Sequence, residues 1–304
     1  MDTDVFHKGE RAAQARVGVR MGGAAIRDVM PDQHRDFFGM LPFLPAATVD
    51  ASGAPIATLL TGSPGFITSP DPHTLHLATL PVPGDPADPF LMPGAPVGLL
   101  GIDLATRRRN RANGTIAGRD AAGLSVSVRQ SFGNCPQYIQ GRLVEAAPVS
   151  EAAWQELRGL DRGARLAVLA ADTFFVATSS GAGTAAGGAD ISHRGGRPGF
   201  IRVDGDVLTV PDFHGNQYFN TLGNLLLDPR AAMLFPDFDT GDLLQLRGTV
   251  EIVWDGDEVA RFRGAERLWR LTVTGGWRAP AVIPLRWTFR DFSPFSLKTG
   301  PWAA

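Results

Sequence analysis

The run Ala189-Asp-Ile-Ser-His-Arg-Gly-Gly-Arg-Pro-Gly-Phe-Ile-Arg-Val203 gathers three arginines, a histidine, a serine and three glycines into a stretch that reads as a loop entering a strand. Arginine forks and glycine backbone N–H groups are the means by which proteins hold phosphate. Just behind it, Pro211-Asp-Phe-His-Gly-Asn-Gln-Tyr-Phe-Asn-Thr-Leu-Gly-Asn224 reads as a polar turn. Its Asn216, Asn220, Thr221 and Asn224 are uncharged donors suited to ring edges or to phosphate oxygens. Composition alone serves a plain surface loop equally well, because glycine-rich loops are common punctuation.

Working outward, Pro198-Gly-Phe-Ile201 repeats Pro64-Gly-Phe-Ile67 at a shift of 134 residues. In the same ungapped register Leu100 falls on Leu234, Asp103 on Asp237, Thr106 on Thr240, and Gly114-Thr115 on Gly248-Thr249. A constant offset of this kind marks a duplicated unit. The copies differ in their polar equipment. Opposite Gly215–Asn224 the first copy has Pro81-Val-Pro-Gly-Asp-Pro-Ala-Asp-Pro-Phe90, and prolines supply no N–H donors for an anion. Opposite Gly241–Gln245 the first copy has Arg107-Arg-Arg-Asn-Arg111. One site at the interface of two complementary copies is the arrangement this division implies.

The chain's 304 residues can bury a full core as one large domain or two. Hydrophobic content of 44%, charge of 20% and a net charge of −2 describe an ordinary globular protein with no field drawing it to nucleic acid or anionic lipid. Thirty-six glycines and 23 prolines favour short strands and tight turns. The single cysteine, Cys135, excludes an intramolecular disulfide and a cysteine-built zinc site, and it reads as structural. His73 and His76 lack a third ligand at metal spacing, so no metal is expected. A polar N-terminus and the lack of a membrane-length apolar run predict a soluble cytoplasmic protein.

Strands are expected at 45–50 and 55–60 as a hairpin, then at 65–67, 74–78, 97–104, 113–118 and 124–130, with the arginine cluster between the fifth and sixth. Helices are expected within 12–19 and at 33–40, capped by Asp32. Ser150 is expected to cap a helix with Trp154, Leu157 and Leu160 on one face, followed by a helical run at 162–171. Strands resume at 174–178, 199–203, 207–210, 231–235 and 243–254, and the tail from Arg267 shows little periodicity. The resulting division is an N-terminal extension (1–43), a first unit (44–148), a helical linker (149–171) and a second unit with its tail (172–304).

The second half resembles the pyridoxamine-phosphate-oxidase-related, flavin-binding split β-barrel proteins. The resemblance rests on Pro198–Val203, the Leu-Thr-Val-Pro-Asp212 strand, the Gly215-Asn216 turn, Thr221-Leu-Gly-Asn-Leu-Leu-Leu-Asp-Pro229, Ala232–Phe235 and Leu244-Gln-Leu-Arg-Gly248. Phe6-His-Lys-Gly-Glu10 and Phe132-Gly-Asn-Cys-Pro-Gln-Tyr-Ile-Gln140 are similar to the longer, tandem branch. The resemblance implies a mainly β fold, a tandem duplication of a split β-barrel, with flavin mononucleotide (FMN) bound between barrels and a dimer as the usual assembly. It places the flavin phosphate near Arg202, Asn220, Thr221 and Asn224, and aligns Gln245 with a glutamine that reaches the flavin ring. Where the oxidases carry a Ser-Arg-Lys run, this chain has Tyr218-Phe-Asn-Thr221, so its phosphate cations must come from elsewhere. Arg194, Arg197 and Arg202 are the nearest in sequence. Ser192 and His193 join the candidate set, His193 as a group that polarises the flavin or a substrate. Arg107, Arg108, Arg109 and Arg111 are candidate anion contacts, because adjacent arginines repel one another unless an anion is near. The expected function is an FMN-dependent oxidoreductase acting on a small molecule, with NAD(P)H as a candidate reductant. Alternatives are a flavin or deazaflavin carrier without turnover, or a scaffold without cofactor.

Overall fold

The computed structural model describes residues 4–181, 183–184 and 186–303. Two helices open the chain, α1 (Lys8–Arg16) and α2 (Asp32–Gly39). A first set of strands follows: β1 (Phe43–Val49), β2 (Pro55–Thr61), β3 (Ile67–Asp71), β4 (Thr74–Leu77), β5 (Pro96–Asp103), β6 (Arg108–Asp120) and β7 (Gly123–Gly133). The connection between the halves carries β8 (Gly141–Ala146), β9 (Gln155–Leu157) and α3 (Arg162–Ala170). The second set comprises β10 (Thr173–Ser179), β11 (Ala189–Gly195), β12 (Arg202–Asp204), β13 (Val207–Phe213), α4 (Asn220–Leu227), β14 (Arg230–Pro236), β15 (Leu243–Val253), α5 (Asp257–Ala260) and β16 (Ala265–Ala279). β17 (Leu285–Asp291) pairs with β8 outside both sheets.

The two large sheets have the same strand order, β2-β1-β5-β6-β7-β4-β3 and β11-β10-β14-β15-β16-β13-β12. The duplication read in the sequence is therefore a duplication of topology. The matched glycines explain why particular residues repeat. A β-carbon on Gly114 would overlap the Ser127 carbonyl oxygen, and one on Gly248 the Thr272 carbonyl oxygen, each at a bulge in its ladder. Gly65 and Gly199 take φ of +96° and +82° in the same turn, which buries Phe66 and Phe200.

The apolar runs of β1, β5 and β10 are continuous because both faces are covered. Alternate residues serve different cores. Leu44, Ala46 and Leu99 point into the first barrel, and Phe174 and Val176 into the second. Phe43, Ala47, Leu100, Phe175 and Ala177 fill a third core between the barrels. At Gly98 the barrels approach so closely that a β-carbon would lie 2.7 Å from the Ala189 carbonyl oxygen and the Asp190 Cα. Among the described residues no helix is long and apolar enough to cross a membrane.

Several elements depart from the sequence reading. The expected helix at 150–160 is absent: Gln155–Leu157 is a strand on the open edge of β16, so the linker is helical only at α3. Pairing with that edge overrides the helical spacing of Trp154, Leu157 and Leu160. The tail from Arg267 is not irregular but contains most of β16, the longest strand, whose Gly275-Gly276 step breaks the alternation that would reveal it. The loop at Ala189 is the strand β11, and Arg108–Arg111 lie within β6 rather than before it. The polar turn at 211–224 ends in the helix α4, and Pro31 rather than Asp32 caps α2.

Candidate functional site

A cleft opens where β11, β13 and α4 of the second barrel face β6 and the segment 134–138 of the first. Strand geometry explains which arginines reach it. Successive side chains on β6 alternate in direction, so Arg109 and Arg111 share one face. Arg111 crosses the interface, donating from Nη1 to Asp190 Oδ2 (2.8 Å) and from Nη2 to Ser192 Oγ (2.7 Å). Thr221 Oγ1 lies 2.9 Å from the same Ser192 Oγ, which ties the first turn of α4 to β11 and to the first barrel. Burial pushes the Asp190 carboxyl up and the Arg111 guanidinium down, and their contact opposes both.

Arg109 is different. Its Nε donates to the Cys135 carbonyl (2.7 Å), its Nη1 lies 3.2 Å from His193 Nδ1, and among the described residues it has no carboxylate partner. Burial, together with the neighbouring Arg111 and Arg194 charges, pushes its pKa down to about 9. A guanidinium only donates, so His193 Nδ1 accepts and the ring proton sits on Nε2. Burial and the Arg109 charge hold His193 well below its usual pKa, hence neutral. Its Nε2–H finds no protein acceptor.

The opposite wall pairs Arg267 Nη1 with Asp212 Oδ2 (2.9 Å), with Arg194 Nη2 3.4 Å from Asp212 Oδ1. Tyr138 and Phe213 present rings 4.9 Å apart at a 31° tilt. Besides His193 Nε2, the buried Arg111 Nε, Arg194 Nε, Asn134 Oδ1 and Gln137 Oε1 lack partners among the described residues, and all five residues line this cleft. Buried polar atoms are rarely left unpaired, so the cluster makes this cleft the candidate site for a polar ligand. The cavity measures about 110 Å³, the scale of a phosphate group, and continues into the open cleft.

Of the expected residues, Ser192, His193, Arg194, Asn216, Asn220 and Thr221 line the cleft with Arg109 and Arg111. The rest do not. Asn224 turns to the other side of α4 and bonds Thr178 Oγ1 (3.0 Å). Arg197 donates to the Thr299 carbonyl, and Arg202 pairs with Glu258 beneath Trp302. Arg107 binds Asp291, and Arg108 reaches the Gln33 carbonyl over the Phe37 ring. Gln245 lies at the position equivalent to Arg111 in the other repeat and bonds Asp85 across the opposite side of the interface. Asn134, Gln137, Tyr138, Asp212 and Arg267 were not among the candidates. The segment 132–140 carried the first three only as a resemblance, and Arg267 was hidden in the unrecognised β16.

A tandem split barrel with a polar cleft between its halves is the class of protein that this fold and site define. Residues 161–285, the second barrel, match the family model described as pyridoxamine 5'-phosphate oxidase. No curated protein sequence matches the chain. Among solved structures, the heme storage protein HutZ of Vibrio cholerae is similar at 14% identity and a TM-score of 0.30, over 40% of this chain and 95% of that one. A FAD-binding protein of Mesorhizobium loti is similar at 11% identity and a TM-score of 0.29, over 42% and 98%. HupZ of Group A Streptococcus is similar at 15% identity and a TM-score of 0.29, over 38% and 89%.

Proposed function

We propose that the cleft holds flavin mononucleotide and that the protein is a flavin-dependent oxidoreductase acting on a small molecule. The observation that carries this reading is Arg109, a cation packed against a neutral histidine and two further arginines with no carboxylate among the described residues to balance it. A dianionic phosphate restores that balance. The first turn of α4, where backbone N–H groups lack helical partners, adds donors beside it at Asn220 and Thr221. One of the Ser192 and Thr221 hydroxyl protons is spent between them, which leaves the other for a ligand oxygen.

The bound flavin would supply electron or hydride transfer. The chain's own residues bind and orient. Arg109 and Arg194 attract the phosphate, His193 offers one fixed Nε2–H donor whose neutrality keeps it from adding charge, and Tyr138 with Phe213 provides an apolar wall for a planar ring.

The test begins with the absorption spectrum and the released chromophore of freshly purified protein. Arg109→Ala is expected to weaken FMN affinity at least about tenfold, the scale of one charge-assisted contact. Arg197→Ala and Arg202→Ala are expected to leave it unchanged. A protein that cannot be loaded with flavin, or equal affinity across the three variants, overturns the site. A loaded protein that turns over neither NAD(P)H nor any other common reductant overturns the oxidoreductase reading and leaves a carrier.

A further inference from the structure

The two repeats treat one position in opposite ways. In the first, Leu41-Pro-Phe43 leads from α2 into β1, and Phe37, Phe38 and Leu41 close over Gly101 at 2.8–3.1 Å from where its β-carbon would stand. The corresponding run in the second repeat is Ala171-Asp-Thr173, the α3 positions are Ala167 and Val168, and the strand position is Phe235. Gly62 N donates to the Pro42 carbonyl in one repeat, and Gly196 N to the Asp172 carbonyl in the other, which fixes the equivalence. Phe235 recovers part of the lost volume. The remainder stays open as a groove of about 740 Å³ between α3, the ends of β14 and β15, and Trp154.

This groove is separate from the cleft that holds Arg109, and it has a built polar end. Arg142 Nη2 donates to Asp172 Oδ2 at 2.6 Å, and both side chains are 8% exposed. Arg142 Nη1, Asp172 Oδ1 and Thr173 Oγ1 are each shielded from solvent and without a partner among the described residues, and all three residues line the groove. Leaving such atoms unpaired forfeits their hydration with nothing in return. An apolar triplet would cost nothing there, as the first repeat demonstrates. Phe238 lies over the Arg142 guanidinium at 4.3 Å and holds it in place.

We propose that this groove is a second ligand site, for a neutral, flat molecule that carries an amide edge. The donor Arg142 Nη1 suits a carbonyl oxygen, and the acceptor Asp172 Oδ1 suits the adjacent N–H. Arg142 and Asp172 neutralise one another, so the polar end selects neither charge. Asp237, Asp239 and Asp242 at the rim turn away carboxylates and phosphates, and an ammonium group offers Arg142 Nη1 no acceptor. Trp154, Phe235, Leu243 and Leu244 wall the apolar body, and the volume lies within the usual range for small-molecule sites.

Calorimetric titration of the full chain with benzamide, benzoate and benzylamine tests the proposal. Benzamide is expected to bind saturably at one site, about tenfold tighter than either charged analogue. Ala167→Phe restores the bulk of the first repeat at an exposed position and is expected to abolish binding with unchanged circular dichroism and Tm. Thr173→Val retains shape and removes one unpaired hydroxyl, and is expected to weaken binding about fivefold while preserving the fold. The absence of saturable benzamide binding would mean a groove filled only by water and would overturn the proposal. So would equal binding of benzoate, or binding that survives both substitutions. None of these outcomes depends on flavin.

Discussion

A guanidinium bonded to one carbonyl and one neutral imidazole, with other arginines beside it, keeps its charge against the field of its neighbours, and Arg109 does so at the mouth of a cleft. The same residue-scale accounting applies to Glu10 on the far side of α4. Its carboxylate accepts from the His7 backbone N–H (2.9 Å) and from Asn220 Nδ2, and burial still pushes its pKa up to about 7. Burial also pushes His7 down to about 4. Below about pH 4.5 Glu10 is protonated in both folded and unfolded chains. As pH rises the unfolded chain ionises first, so the fold loses on the order of 3 kcal/mol up to about pH 7 and nothing further above it. Glu10→Gln does not ionise. The Tm of this variant relative to the parent is therefore expected to climb between about pH 5 and about pH 8, and parallel melting curves would refute the assignment. At this scale the sequence carried the arginine cluster but not its division: only strand alternation separates Arg109 and Arg111, which face the cleft, from Arg108, which does not.

The elements that build the cleft meet through glycine. α1 packs on α4 so closely that a β-carbon on Gly9 would overlap the Gly223 carbonyl oxygen, and one on Gly223 would lie 2.6 Å from the Glu10 backbone. The Phe6-His-Lys-Gly-Glu10 motif thereby gains a physical meaning. His7 caps α1 by accepting from Gly9 N, Glu10 closes the capping box, and Gly9 permits the contact. Gly223→Val is expected to cost about 1–3 kcal/mol by overpacking and to free α1. Hydrogen exchange across residues 8–16 should rise selectively, with the β-sheets unchanged, and uniform protection would show that the helices do not depend on this contact. The strands of both barrels were legible wherever turns punctuate them, as in the Asp50–Ala54 hairpin, where Asp50 Oδ1 accepts from Ser52 and Ala54. β11 and α4 were not. Polar residues dominate β11 and open α4 at Asn220 and Thr221, and what orders them is the partner barrel and α1, which no local pattern announces.

For the whole molecule, duplication placed two equivalent interface positions in one chain, and only one kept the equipment of a site. Where Arg111 reaches Ser192, its counterpart Gln245 meets Asp85, which also accepts from Thr58 Oγ1 at 2.7 Å. Asp85 is 2% exposed and burial pushes its pKa up to about 6, so at neutral pH it sets a negative charge in that pseudo-symmetric position. The cavity beside Gln245 is about 10 Å³, against the open cleft around Arg109. The proposed flavin phosphate would meet a buried carboxylate on one side, and an unbalanced cation with five unpaired polar atoms on the other. Both barrels that frame the cleft come from the same chain, so the proposed site would be complete in one molecule. FMN titration is therefore expected to saturate at one flavin per chain in the monomeric fraction from size-exclusion chromatography. Two flavins per chain would mean that the Asp85 side also binds, and one flavin per two chains would mean that the site needs a second molecule. Asp85→Asn removes the charge without opening the cavity and is expected to leave the ratio at one. A rise toward two would assign the asymmetry to electrostatics alone, whereas an unchanged ratio assigns it to the packing that closed the first repeat.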